Sequence, residues 1–382
     1  MAWGWLGYRC SEAEMDRRLR SHENSFDALR LLFALLVLFS HSYPLLGRDD
    51  EFFAASFGYD TGGGFAVAGF FVISGLLVAR SALSSDLRRY AAGRVLRIVP
   101  GLAAMSVICA LIIGPLVTAL SPGEYFTRRE TWVFLTNAFV FPLRFYLPGV
   151  FADNPLHAVN GSIWTLPIET AMYVLLPLGV VIGLVSRLGT ALLLAAVSAA
   201  LCLGVVHLGL PWQSAEPSLA RYVPLFVVLK FGFFFVSGTL LFVYRGVIPV
   251  SPLLAAAILV LLGVLGHTTA GLLLWFAGLP YLVFCFGFLG GPLGAFFKRH
   301  GDLSYGVYIY AFPVQQCIVH ALGRSSLDVQ SLILFAVPPT LALAYLSWHM
   351  IERRALGWKR YWGTGRPPAV QPVTAEPSKS SE

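Results

Sequence analysis

Charge is what this sequence has least of. Asp, Glu, Lys and Arg together make up 12% of its 382 residues, where a soluble globular chain carries about 25%. No polar stretch is long enough to hold a soluble domain of any size. Cysteine is nearly as uninformative: Cys10, Cys109, Cys202, Cys285 and Cys317 show no CxxC spacing, which indicates neither a disulfide framework nor a zinc site. The first 25 residues are charged and mixed, without the short apolar core of a cleavable signal. The net charge of +7 is scattered over short loops, so no basic block points to nucleic acid. What remains is apolar: 57% of the residues are hydrophobic and the mean hydropathy is +0.72. The chain reads as an all-α, polytopic membrane bundle, with no metal called for.

A span needs roughly 20 predominantly apolar residues. That rule gives ten spans, at 26–46, 64–83, 98–120, 162–185, 188–208, 224–245, 250–267, 271–290, 303–322 and 330–350. The segment 131–142 is too short to cross and carries Asn137, which fits a re-entrant or interfacial piece. Orientation follows from the cations. With the N-terminus inside, nineteen Lys and Arg lie in inner segments and six in outer loops, a bias that places both termini in the cytoplasm. The organisation expected is a cytoplasmic segment 1–25, a membrane domain 26–350 and a cytoplasmic tail 351–382. The Pro/Ser-rich composition makes that tail disordered from about 365.

Four stretches carry polar residues that lipid does not tolerate idly. The first span holds Asp27 and Arg30 near its start and His41 near its end. Eleven residues separate Arg30 from His41, about three helical turns, so both leave one face some ~16 Å apart. Asp27 and Arg30, at i and i+3, can equally form a surface pair, and His41 can be a neutral imidazole bonded between helices. Gly62 to Ser81 is rich in glycine, which allows either close helix packing or close approach of backbone to a ligand. Arg80 to Pro100 concentrates Arg80, Arg88, Arg89, Arg94 and Arg97. Such a cluster recognises phosphate, although topology and anionic lipid account for part of the charge. Asn160, Ser162, Trp164, Thr165 and Glu169 crowd the outer entry of the fourth span. Glu169 therefore sits at a depth similar to His41, on a different helix.

Taken together, these stretches resemble the acyltransferase-three family of ten-span integral-membrane acyltransferases. The resemblance rests on Arg30 and His41, on FFVISG (Phe70 to Gly75), on RVLRIVP (Arg94 to Pro100) and on NGSIWTLPIE (Asn160 to Glu169). GDLSYGVYIYAFPVQQ (Gly301 to Gln316) and MIERRAL (Met350 to Leu356) add to it. The match runs from about residue 24 to 360. Where the family commonly has a histidine before the Phe-Pro, this chain has Ala311.

The resemblance implies transfer of an acyl group, usually acetyl, from cytosolic acyl-CoA to a carbohydrate hydroxyl at the external face of a bacterial inner membrane. Candidate acceptors are an exopolysaccharide, an O-chain, a glycolipid or a small sugar-bearing metabolite. On this reading Arg88, Arg89, Arg94 and Arg97 hold the CoA phosphates, and Arg30 contacts the cosubstrate or holds Asp27. His41 is the base that deprotonates the acceptor, a role suited to an imidazole. Glu169 orients it, and Asn160, Ser162 and Trp164 meet the acceptor or the developing oxyanion. Nothing in the sequence calls for a covalent acyl-enzyme, and direct transfer is the simpler expectation. A flippase of lipid-linked glycans would use the same buried polar residues as a pathway, but no repeat relates the two halves of the chain. Oligomeric state is left open.

Overall fold

A computed structural model of the chain describes residues 8, 10–21, 23–208, 225–289 and 301–362. The expected disordered tail from about 365 lies outside the described residues. Among those that are described the fold is all helix, with two isolated β-bridges and no strand. In chain order the principal helices are α1 (Glu12–Ser21), α2 (Phe26–Leu45), α3 (Phe52–Phe57), α4 (Gly62–Ser84), α5 (Leu87–Ile108) and α6 (Leu166–Val181). They continue with α7 (Arg187–Leu208), α8 (Leu225–Val243), α9 (Pro252–Val264), α10 (Thr269–Leu289), α11 (Ser304–Leu322) and α12 (Val329–Ser347).

Each of the ten stretches read as spans falls on one of these helices. Among the described residues seven helices are long and apolar enough to cross a membrane, α7 and α9 are shorter apolar helices, and α11 falls in neither group. Their outer faces carry Leu116, Val181, Val260 and Val264 largely exposed, a surface suited to lipid and not to water. The starts of these helices are written in local chemistry. Thr61 caps α4 by accepting from Gly64 N at 3.0 Å, and Asp86 caps α5 by accepting from Arg89 N at 2.9 Å. Asp328 and Ser331 close a reciprocal capping box on α12.

The amphipathic α1 buries Met15 and Leu19 against one end of the bundle. Arg80 donates to Leu19 O, Arg245 grips Asp16, and Arg187 reaches Glu12. The ends of α4 and α8 and the start of α7 are thus gathered beside the N-terminal helix. At the opposite end His267 N bonds to Phe57 O, joining the α9–α10 turn to α3.

The core is knit by helices that approach closely. The most extensive contact is α4 with α8, and glycine makes it possible. A Cβ on Gly75 would stand 1.9 Å from Phe235 O, and one on Gly238 would stand 2.1 Å from Val72 O. Two backbones pass within reach of each other there, as small residues permit in membrane bundles. The α5 helix continues through a π turn, Cys109–Ile113, to Val117. Pro115 has no N–H to offer, and the Ala110 carbonyl accepts instead from Tyr125 OH at 2.8 Å. The segment 131–142 forms only short turns, Arg129–Val133 and a 3-10 stretch Phe134–Phe139 along α5. Asn137 is buried in it and bonds to both N and O of Arg144, pinning the return of the chain.

Gly75→Val is expected to force α4 and α8 apart, because the obstructing atom is a carbonyl that cannot move aside. A loss of about 3 kcal/mol should appear as a lower unfolding temperature of the detergent-solubilised protein.

Candidate active site

Two polar cavities lie in tandem inside the bundle. The first, of about 520 Å³, takes its walls from α2, α4, the Asn160–Trp164 turn, α8 and α11, and contains His41, Ser162, Trp164, Lys230 and Phe312. The second, of about 430 Å³, contains Arg30, Arg94, Arg97, Glu169, Tyr173, Asp302 and Lys359. Val67 and Tyr308 line both and form the partition between them.

In the first cavity, His41 packs edge-to-face on Phe312, with ring centroids 5.2 Å apart. Its Nδ1 lies 3.4 Å from Ser162 Oγ. The turn that presents Ser162 is held from several sides. Asn160 donates to Ile309 O at 2.8 Å and accepts from Ser162 N at 3.0 Å. Tyr308 OH donates to Ser162 O at 2.6 Å, and Thr165 Oγ lies 2.6 Å from the same phenol. Upstream, Gln316 donates to Leu156 O and Ala158 O and accepts from Asn154. All these anchors, Tyr308, Ile309, Phe312 and Gln316, belong to α11, which is the template for the turn.

The rest of the first cavity is aromatic and ionic. Trp164 leans on Phe231 at 5.8 Å. Lys230 and Asp60, each 3% exposed, form a close ion pair. Lys230 also sits 5.3 Å from the Trp275 ring centroid, where the face of the ring favours a cation. Glu51 caps α3 and accepts from Gly62 N at 3.1 Å. Burial pushes its carboxyl above the ordinary glutamate value, against the backbone N–H groups that favour its charged form.

In the second cavity the organising group is Asp302. Its Oδ2 meets Arg97 at 2.5 Å and Arg30 at 3.2 Å, so one carboxylate joins α2, α5 and the start of α11. Burial acts to raise this carboxyl, but the Arg97 and Arg30 guanidiniums outweigh it and hold it below the usual aspartate range. Arg94 lies over the Tyr173 ring at 5.4 Å, and its buried Nε has no hydrogen-bond partner. Four cations, Arg30, Arg94, Arg97 and Lys359, face three carboxylates, Asp27, Glu169 and Asp302, in this lining.

The residues singled out in sequence divide between the two sites. Arg30 and His41 do open from one helix, but into successive cavities. The Asp27–Arg30 pair exists at 3.8 Å and is secondary to Asp302. Glu169 is not beside His41. It accepts from Ser74 Oγ at 2.9 Å and from Tyr173 OH, inside the second cavity. Its helix runs away from Ser162 by two turns, so the partition separates the two residues. Asn160 is fully buried and its amide is engaged by the protein; it positions Ser162 and does not line the cavity. Trp164 belongs to the cavity wall. Arg88 and Arg89 are exposed on the first turn of α5, outside either lining, whereas Arg94 and Arg97 face the second cavity. Ala311 is packed against Leu38 and Ala336 and lines neither cavity.

Sequence reasoning missed Asp302, Lys230, Asp60 and Tyr308. Lys230 had a usable signal, an ionisable residue inside a span, the same one that marked Glu169. Asp302 stands in the loop before α11, where a carboxylate is unremarkable until the two arginines are seen converging on it.

Apolar helices around two cavities with charged walls, one holding an imidazole against a hydroxyl, define a membrane-embedded protein with a polar interior. The chain belongs to the acyltransferase 3 family: the model of its acyltransferase domain matches residues 23–349. It is similar to an O-acetyl transferase of Shigella phage Sf6, 32% identical over 346 residues that cover 87% of this chain and 96% of the relative. It is also similar to nodulation protein 10 of Rhizobium leguminosarum bv. viciae, 29% identical over 378 residues covering 88% and 94% of the two chains. No solved structure matches it.

Lys230→Met leaves Asp60 charged and alone in an apolar wall. We expect a loss of about 3–5 kcal/mol, read as thermal unfolding in detergent, and recovery of most of it in the double variant Asp60→Asn/Lys230→Met.

Proposed function

We propose that this membrane acyltransferase moves an acetyl group from cytosolic acetyl-CoA to a hydroxyl of a carbohydrate presented at the external face of a bacterial inner membrane. The observation that carries the reading is the tandem of cavities meeting at Tyr308, with His41 on one side and the arginine cluster on the other. The second cavity suits the donor. Arg94 and Lys359 offer charge-assisted bonds to phosphate, with Arg30 and Arg97 both held on Asp302. Arg88 and Arg89, outside the cavity, are not needed for that grip. The first cavity suits a sugar. Trp164 and Phe231 give apolar faces for pyranose C–H groups, and Glu51, Asp60 and Lys230 offer hydrogen bonds fixed in direction.

A hydroxyl attacking a thioester needs its proton removed as the bond forms. His41 is the base in reach of the cavity, and Ser162 orients it, the role that sequence had given to Glu169. Glu169, Ser74 and Tyr173 shape the donor side. The orientation that supports this reading is ten spans with both termini cytoplasmic, in keeping with the excess of cations in the inner segments and with the gathering of α1, Arg80, Arg187 and Arg245 at one end.

The test is release of free CoA thiol by the purified protein in nanodiscs, given acetyl-CoA and a panel of oligosaccharides. Wild type should release thiol in the presence of an acceptor, and His41→Ala should be slower by about 10²–10⁴-fold while still binding acetyl-CoA. Arg94→Gln should raise KM for acetyl-CoA, and Arg88→Gln/Arg89→Gln should raise it less. Full activity in His41→Ala would remove the base assignment, and absence of acetyl-CoA binding would remove the donor.

A further inference from the structure

The hydroxyl groups of the first cavity are not equivalent. Thr61 is occupied in capping α4. Ser40 bonds to Glu51, and Tyr308 donates to the Ser162 carbonyl. Ser162 alone of these places its Oγ against an imidazole nitrogen, at 3.4 Å from His41 Nδ1. That is the spacing of a nucleophile and its base in a site that has yet to close on substrate. Its backbone is clamped by Asn160 on the N–H and by Tyr308 on the carbonyl, so the side chain is held and the turn cannot relax away.

The setting also serves the charge that would develop. Ser162 opens the helical run Ser162–Val181; its own N–H is taken by Asn160, and the N–H groups that follow lack intrahelical acceptors and carry the positive end of the helix dipole. An acyl carbonyl bonded to Ser162 Oγ would lie beside those donors, as an oxyanion requires. The partition is one hydrogen bond away, since Tyr308 touches Ser162 and lines the donor cavity as well.

We propose that Ser162 is a nucleophilic catalytic residue that carries the acetyl group as an ester between the two cavities. The proposal rests on the acetyl-CoA reading above and replaces direct transfer with two steps. In the first, His41 takes the Ser162 hydroxyl proton as Oγ attacks the thioester carbonyl. The C–S bond breaks, and the imidazolium returns the proton to CoA, which leaves as the thiol. In the second, the acceptor hydroxyl gives its proton to His41 and attacks the ester carbonyl. The C–O bond to Ser162 breaks, and the serine recovers its proton. No further reactant is consumed, and donor and acceptor never have to occupy the site together.

The experiment is to mix the full-length wild-type protein in nanodiscs with acetyl-CoA alone and follow thiol release and intact mass. One thiol released per protein, with one acetyl group mapped to the peptide bearing Ser162, is the expected result. Ser162→Ala should lose both the burst and the adduct and turn over more slowly by about 10²-fold or more. Ser162→Cys should retain the acetyl group as a thioester discharged by hydroxylamine. With oligosaccharide present, initial rates should give parallel double-reciprocal lines. Turnover in which wild type shows no burst, no adduct and intersecting lines would overturn the proposal while leaving the transferase reading intact. An adduct on His41 instead would overturn it equally. If wild type fails to bind acetyl-CoA at all, the donor assignment falls, and this proposal with it.

Discussion

The bundle depends on Asp302 more than on any other single group. A carboxylate buried between two guanidiniums is the least costly way to keep three charges in a medium that solvates none of them. Because the three come from α2, α5 and the start of α11, satisfying the charges also fixes the relative placement of those helices. The same demand recurs on the other side of the partition, where Lys230 of α8 answers Asp60 before α4. The triad and the pair each place fixed charge in the wall of one cavity.

From that anchoring, α11 acts as a ruler. Tyr305, Tyr308, Phe312 and Gln316 recur at helical spacing, and each meets a different partner: Ile98 O, Ser162 O, the His41 ring and the 156–158 backbone. A helix is stiff enough to transfer the register set at Asp302 to a hydroxyl and an imidazole several turns away. The precision of the His41–Ser162 pair is therefore inherited from a contact in the other cavity. Loosening of Asp302 should be felt at His41 even though no bond links them directly.

The sequence made the helices legible, because composition and length decide a membrane helix with little help from tertiary contact. It also made His41, Glu169 and the arginine cluster legible, because charge within an apolar run is rare and needs a reason. What it could not convey was pairing. Counting along the spans put His41 and Glu169 at a similar level, but it is Ser162 that meets His41, and Glu169 lies two turns deeper, in the cavity of Arg30. Asn160 looked like a ligand for the acceptor or the oxyanion because it crowds the entry of a span with other polar residues. Only the position of Ile309 O shows that the amide is already engaged. Arg88 and Arg94 look alike in the string, and half a dozen residues of helix send one outward and the other into a cavity.

Tyr308 has a meaning beyond geometry. A protein that admits a coenzyme from one compartment and a sugar from the other is, without a seal, a hole wide enough for protons and ions. The phenol, tied to Thr165 and to the Ser162 carbonyl, stands with Val67 between the two chambers and lines both. On the proposed reading, in which donor and acceptor enter from opposite sides, that one side chain stands where a leak of protons and ions would otherwise open.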